Sequence, residues 1–438
     1  MTKRKGVWDL QQVRDKYLQD IWVQETWVYG MGQTYYYQLG NPGSGTISGL
    51  APRLQTYPNS FTTNSTPGSK WKRMSSGFVS MGCMVWDEDD NAYVFGNNRH
   101  AGGLGLNESS STETTPILLP AGSGRTWEHC HMADGGGWAV KDDGTLWSWG
   151  YNERGDLGHN DTVARSSPVQ VGTDTTWSNA YGSLNTGGSG YNAREVLAIK
   201  TNGTLWAWGY NNAGQLGLNN KTTYSSPVQV GTSTDWGVIA NGGRGAIKTD
   251  GTMWVWGPGW MGQLGLNQGN GNGGNPGGDY SSPKQIPGTN WSRLARSISN
   301  AAIKTDGTLW VWGWNDNGAL GLNTEGAGAP YYGTQYSGSR SSPTQLGGAT
   351  NWTLVSAGAV KDYGGRAGNS DGEMWGWGQA GSNGFGNNSP TSSSQQYSSP
   401  VQALGSGTDV KFSNTDNTYC SMYYAWNALV DKIPASDM

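Results

Sequence analysis

The 438-residue chain is poor in most of what a chemical site is built from: it has 3 cysteines, 4 histidines and only 14% charged residues. Cys83, Cys130 and Cys420 are too few, and odd in number, for a disulfide framework. No apolar run approaches a membrane span, and the charged N-terminus lacks an apolar segment behind it. Neither membrane insertion nor a secretory signal is expected. Basic residues are dense only at Lys3-Arg4-Lys5 and the net charge is -4, so no nucleic-acid partner is expected. These absences point to a protein made in a cytoplasm. Phenylalanine is scarce at 5, whereas glycine reaches 71 and tryptophan 24. Abundant glycine fits disorder or many tight turns, and the aromatic content argues for turns. The composition therefore predicts an all-β fold of short strands.

What is present is a repeat. Lys200-Thr-Asn-Gly-Thr-Leu-Trp-Ala-Trp-Gly209 and Lys304-Thr-Asp-Gly-Thr-Leu-Trp-Val-Trp-Gly313 are near copies, with further copies ending at Gly150 and Gly257 and weaker ones at Gly30, Gly96 and Gly378. The seven copies are 66, 54, 59, 48, 56 and 65 residues apart, a propeller-blade period. Asn-Gly or Asp-Gly between alternating apolar runs predicts a hairpin, since both residues tolerate φ > 0. Strand alternation places Trp206 and Trp208 on one face, packed between blades. A Ser-Ser-Pro phrase with Pro168, Pro227, Pro283, Pro343 and Pro400 predicts an outer edge strand, because proline lacks the N–H a central strand needs. Trp71, Trp127, Trp177, Trp236, Trp291 and Trp352 open successive units. Glu25–Gly30 has no opening half, and 408–422 has only an opening half. Together they predict a closing blade split between the two ends.

These phrases resemble the regulator of chromosome condensation repeat, a family of seven-bladed propellers, over about residues 25–425. The resemblance implies a seven-bladed β-propeller with a split closing blade, and a broad, loop-built face for protein binding. It does not imply one activity, since the family includes an exchange factor for a small GTPase and an inhibitor of an enzyme. No segment matches the exchange factor's wedge.

Outside the repeat, residues 1–24 predict a short N-terminal helical arm: Asp9 is placed to cap it, and Leu10, Val13, Tyr17 and Ile21 line one face. Lys5-Gly-Val-Trp-Asp-Leu10 is similar to the starts of structural proteins of marine tailed phages. With Trp8, those face residues are the candidate attachment site to a neighbouring virion protein, helped by a tail at 426–438. Long connections carry Tyr35, Tyr36, Tyr37, Trp260, Tyr331, Tyr332 and Tyr336. Aromatics among Gly, Ser and Asn on rigid supports suit contact with a host-surface glycan or protein.

No catalytic constellation stands out. His129-Cys130-His131 has no second pair at zinc-site spacing, and Asp87–Asn91 fills a hairpin slot rather than a calcium loop. Asp143, Asp250, Asp306 and Asp371 recur once per unit as turn residues, and the glycine-rich stretches lack a phosphate-loop lysine. The sequence thus predicts no enzyme, metal or cofactor. Its first functional reading is a non-catalytic virion adhesion protein of a tailed phage. The alternative is a cytoplasmic propeller regulating a protein partner, as an exchange factor or inhibitor would.

Overall fold

The repeat phrase forms the second and third strands of a four-stranded antiparallel sheet. In a computed structural model of the chain, the described residues are 25–33, 48–54, 71–75, 82–402, 411–412, 419–421 and 425–432. Within 82–402, segments 99–101, 109–111, 185–193, 260–261, 269–277, 325–337, 358–363 and 380–395, and positions 88, 123, 134 and 316, fall outside that description.

The sheet of residues 177–229 is representative. Trp177–Leu184 pairs with Arg194–Lys200, that with Leu205–Gly209, and that with Tyr224–Gln229. Arg194–Lys200 buries both faces. Val196 and Ala198 meet Trp138, Val140 and Leu146 of the preceding sheet, whereas Leu197 and Ile199 meet Trp236, Ile239 and Trp256 of the following one. A strand covered on both sides loses the polar alternation of a half-solvated one, which is why it reads as a continuous apolar run. The Ser-Ser-Pro strand is the outer edge, only partly buried along Tyr224–Gln229. Opening strands of successive sheets lie beside one another, Trp127–Ala133 against Trp177–Leu184, and so line the inside of the ring.

Trp206 and Trp208 do share a face: both lie edge-on to Trp177, with centroids at 5.9 and 6.2 Å. Trp208 is fully buried and its Nε1 donates to Asp156 O of the preceding sheet at 2.9 Å. Trp256, Trp312 and Trp377 bond likewise to Gln215 O, Gln263 O and Ala319 O. Each such indole bolts one blade to the last.

The expected hairpin forms, with only its glycine using the left-handed region. Gly203 N donates to Lys200 O at 2.8 Å, and Gly203 has φ +75 whereas Asn202 is not left-handed. The loop is a type I turn followed by a left-handed glycine, not a turn with both central residues at φ > 0. Asn202 serves instead through its side chain, whose Oδ1 accepts from Thr204 N and Oγ1. Above four of the hairpins a lysine, Lys141, Lys200, Lys248 or Lys304, lies over indole rings: Lys200 Nζ sits 4.6 Å from the Trp177 centroid and 3.9 Å from that of Trp206.

The connection from third to fourth strand is held by a buried asparagine. Asn211 is 0% exposed; its Oδ1 accepts from Leu216 N at 2.9 Å, and its Nδ2 donates to Asn220 O and Thr222 O. Asn98, Asn152 and Asn315 repeat the arrangement. Replacing Asn211 with Ala orphans a buried N–H and two carbonyls. It should lower the unfolding free energy by about 3 kcal/mol, read from urea titration of the full chain. The same replacement at Asn220, whose amide bonds at the outer rim, should cost less.

Seven blades are not what the described residues form. Six four-stranded blades are built, spanning 71–118, 127–170, 177–229, 236–285, 291–345 and 352–402. The terminal segments make a different, five-stranded sheet, ordered Ser48–Leu54, Glu25–Gln33, Ala425–Lys432, Lys411–Phe412, with Tyr419–Ser421 also on Ala425–Lys432. The reason lies in the first unit, which has no Asp-Gly hairpin to supply a neighbouring strand. Glu25–Gln33 pairs instead with Ala425–Lys432, from Glu25↔Lys432 to Gly32↔Ala425. That partner begins where the sequence suggested a tail, and its apolar run Trp426-Asn-Ala-Leu-Val430 explains why it pairs. No helix occurs among the described residues, and the helical arm expected at 1–24 lies outside them.

Candidate functional site

Strands alternate in direction, so turns joining first to second strands and third to fourth strands leave at one end of the ring. The Lys-x-Asp-Gly hairpins occupy the other. The hairpin end is regular: the N–H of Trp177, Trp236, Trp291 and Trp352 donates to Gly144 O, Gly203 O, Gly251 O and Gly307 O of the preceding blade. The first end is where the chain departs from its repeat.

Three buried charges meet there, each from a different blade. Glu195, 0% exposed, is the second residue of Arg194–Lys200, the second strand of blade 177–229. Arg244 ends the tight turn 240–245 of the next blade, where Gly243 N donates to Ala240 O and Ala240 N to Gly245 O. Arg296 follows Trp291–Ala295 in the blade after that. Arg244 Nε lies 2.9 Å from Glu195 Oε1. Arg296 is anchored through its backbone, its N–H donating to Asn241 O at 2.6 Å, while Asn241 N donates to Leu294 O. Burial, with Arg244 beside it, pulls the Arg296 pKa down to about 9 against the opposing pull of Glu195. It remains a cation at neutral pH. Ser297, Ser299 and Asn300 are buried close by in sequence.

Backbone strain coincides with this cluster. Among the described non-glycine residues at positive φ, eight are Asn or Asp, and Arg244 at φ 55 is the exception. A long side chain in the left-handed region costs about 1–2 kcal/mol and persists where surroundings enforce it. Here the enforcement is the Asn241 bridge to the next blade and the Glu195 ion pair.

Two other polar groups invite a catalytic reading and do not sustain it. His159 Nε2 lies 3.0 Å from Ser148 Oγ, but that hydroxyl also lies 2.7 Å from Leu157 O. A carbonyl only accepts, so the hydroxyl donates to Leu157 and His159 must donate to Ser148. The serine has no base. His131 is 2% exposed, and burial alone pulls its pKa to about 3. Across the sheet it faces Trp138, as His129 faces Val140 and Cys130 faces Ala139. Among the described residues no three His, Cys, Asp or Glu side chains converge as a metal site.

The aromatic candidates Tyr35, Tyr36, Tyr37, Trp260, Tyr331, Tyr332 and Tyr336 lie outside the described residues, as do Trp8, Leu10, Val13, Tyr17 and Ile21. The charged cluster was missed in the sequence. The signal for it was an offset: counted back from Lys200 and Lys248, Glu195 and Arg244 stand at adjacent slots that hold glycine in the blade ending its second strand at Lys141, Gly136 and Gly137.

The model of the Regulator of chromosome condensation (RCC1) repeat matches residues 143–179, 202–243 and 306–359. Among curated proteins, the chain is 28% identical over 158 residues to the ultraviolet-B receptor UVR8 of Arabidopsis thaliana, covering 35% of this chain and 32% of that protein. It is 29% identical over 148 residues to the mouse regulator of chromosome condensation, covering 34% and 32%. The matched region thus spans about a third of these relatives' length. In fold it is similar to Prp20p of Saccharomyces cerevisiae, with TM-score 0.73, 19% identity and coverage of 95% and 93%; that protein's structure was described with its binding to Gsp1p and histones. Human WBSCR16 gives 0.69 at 14% identity, covering 94% and 100%. Matched segments and fold together make this chain a propeller similar to proteins of the RCC1 repeat family.

Proposed function

We propose that the chain is a non-catalytic propeller that binds a protein partner at the end of the ring bearing Glu195, Arg244 and Arg296, and regulates that partner. The observation that carries this is the convergence of three buried, non-repeat charges from three blades at one end, opposite an end where four blades repeat the same hairpin bond to the next. The relatives support it: they include a photoreceptor and a chromosome-condensation regulator, and Prp20p is described with protein partners. The virion reading rests on residues 1–24, and no described residue favours it.

The test is saturable, stoichiometric retention of a soluble protein by the immobilised full chain. Arg244→Gly, which suits the local φ, should weaken retention about tenfold. Asp306→Asn at the opposite end should leave it unchanged, because Asn202 already fills that slot in another blade. Loss with Asp306→Asn alone would place binding at the wrong end. Recovery of the chain only in purified particles would restore the virion reading.

A further inference from the structure

Arg296 is 2% exposed, and its Nε and Nη1 have no hydrogen-bond partner among the described residues. A buried guanidinium with unmet donors is expensive, so the site is built for an acceptor. The charges that act on it are Arg244 and Glu195, and Glu195 is already engaged by Arg244. Two guanidiniums and one carboxylate leave a single positive charge. A monoanion balances it, whereas a dianion such as phosphate would also face the Glu195 carboxylate. The backbone makes room for both stems: a Cβ on Gly245 would sit 3.0 Å from Arg296 Cδ, and one on Gly257 would sit 3.1 Å from Arg244 Cδ.

We propose that Arg296, with Arg244 and Glu195 beside it, forms a receptor for one carboxylate, supplied by an acidic side chain of a partner protein entering this end of the ring. The source of the carboxylate rests on the functional reading above; the receptor itself does not. A carboxylate gains charge-assisted hydrogen bonds from the unmet donors and cancels the excess charge at once. Chloride offers charge without directed lone pairs.

The probe is sodium acetate, titrated against the full chain at constant ionic strength with sodium chloride and sodium phosphate as comparisons. Acetate should raise the melting temperature saturably, by about 1–2 °C at tenfold excess over its Kd, and phosphate no more than chloride. Arg296→Gln should abolish the acetate response. Arg296→Lys, which keeps charge but not the fork, should shift its midpoint about tenfold upward. The receptor is overturned if acetate matches chloride, if phosphate matches acetate, or if the response survives Arg296→Gln. Should acetate bind through Arg296 while partner retention ignores Arg296→Gln, the partner is not the source of the carboxylate. Should no partner be retained at all, the functional reading fails and the acetate result stands apart from it.

Discussion

Gly307→Ala should lower the unfolding free energy by about 4 kcal/mol, whereas Gly347→Ala should cost about 1 kcal/mol. Both glycines are left-handed, at φ +77 and +66. Around Gly347 a Cβ meets nothing within 4 Å, so its replacement measures backbone strain alone. A Cβ on Gly307 would collide with the carbonyl oxygen of Thr350, in the segment leading into the next blade. That oxygen cannot swing aside like the end of a side chain. The hairpin must move instead, and Gly307 O accepts from Trp352 N at 3.1 Å while Gly307 N donates to Lys304 O at 2.9 Å. One methyl group therefore loosens a turn and an inter-blade bond together. Urea titration of the two variants beside the parent chain decides it, and equal costs would mean that the close approach at Gly307 relaxes without penalty.

The second large effect is acid lability through His131. Its folded pKa, about 3, lies below the ordinary 6.5, so between those values the folded chain holds fewer protons than the unfolded one. This contribution is complete above about pH 6.5 and declines as pH falls toward 3, at about 1.4 kcal/mol per pH unit. His159, lowered to about 4 by burial and by Arg165, acts in the same direction over a shorter range. Asp161 and Asp174, each held at about 2, add their own losses only below the usual carboxylate range. His131→Ala places in this blade the residue that Ala240 and Ala295 supply four positions after the opening Trp of theirs. Between pH 6.5 and 5 the variant should lose about one proton's worth of slope in unfolding free energy against pH. An unchanged slope would mean that His131 titrates normally.

The blade was legible because its signals are local. Asp-Gly and Asn-Gly mark the hairpin, and Leu-Trp-x-Trp marks a strand whose alternate residues pack together. Pro227 and its counterparts mark the edge. The closing sheet was less legible, since Trp426–Val430 alternates too weakly to announce a strand and its partner lies at the other end of the chain. The charged cluster was hardest to see. Arg244 and Arg296 each look like a lone charge beside glycine or serine, Glu195 follows Arg194 as one of an ordinary pair of opposite charges, and only the stagger of three successive blades brings them together. Arg244 was further hidden by Gly242-Gly243, which read as a loop and not as a turn tight enough to hold an arginine left-handed.

The pairing of Glu25–Gln33 with Ala425–Lys432 gives this chain a latch. A linear stack of repeats frays from either terminus, because an end unit has a neighbour on one side only. Here the end units are each other's neighbour. Closing so long a loop in a free coil costs about 4 kcal/mol more than closing a short hairpin, since the penalty grows only with the logarithm of length. Stacking the six intervening blades brings the two strands near one another beforehand, so most of that cost is met before they join. The latch should therefore be the last piece to form and the one whose release lets the ring begin to open.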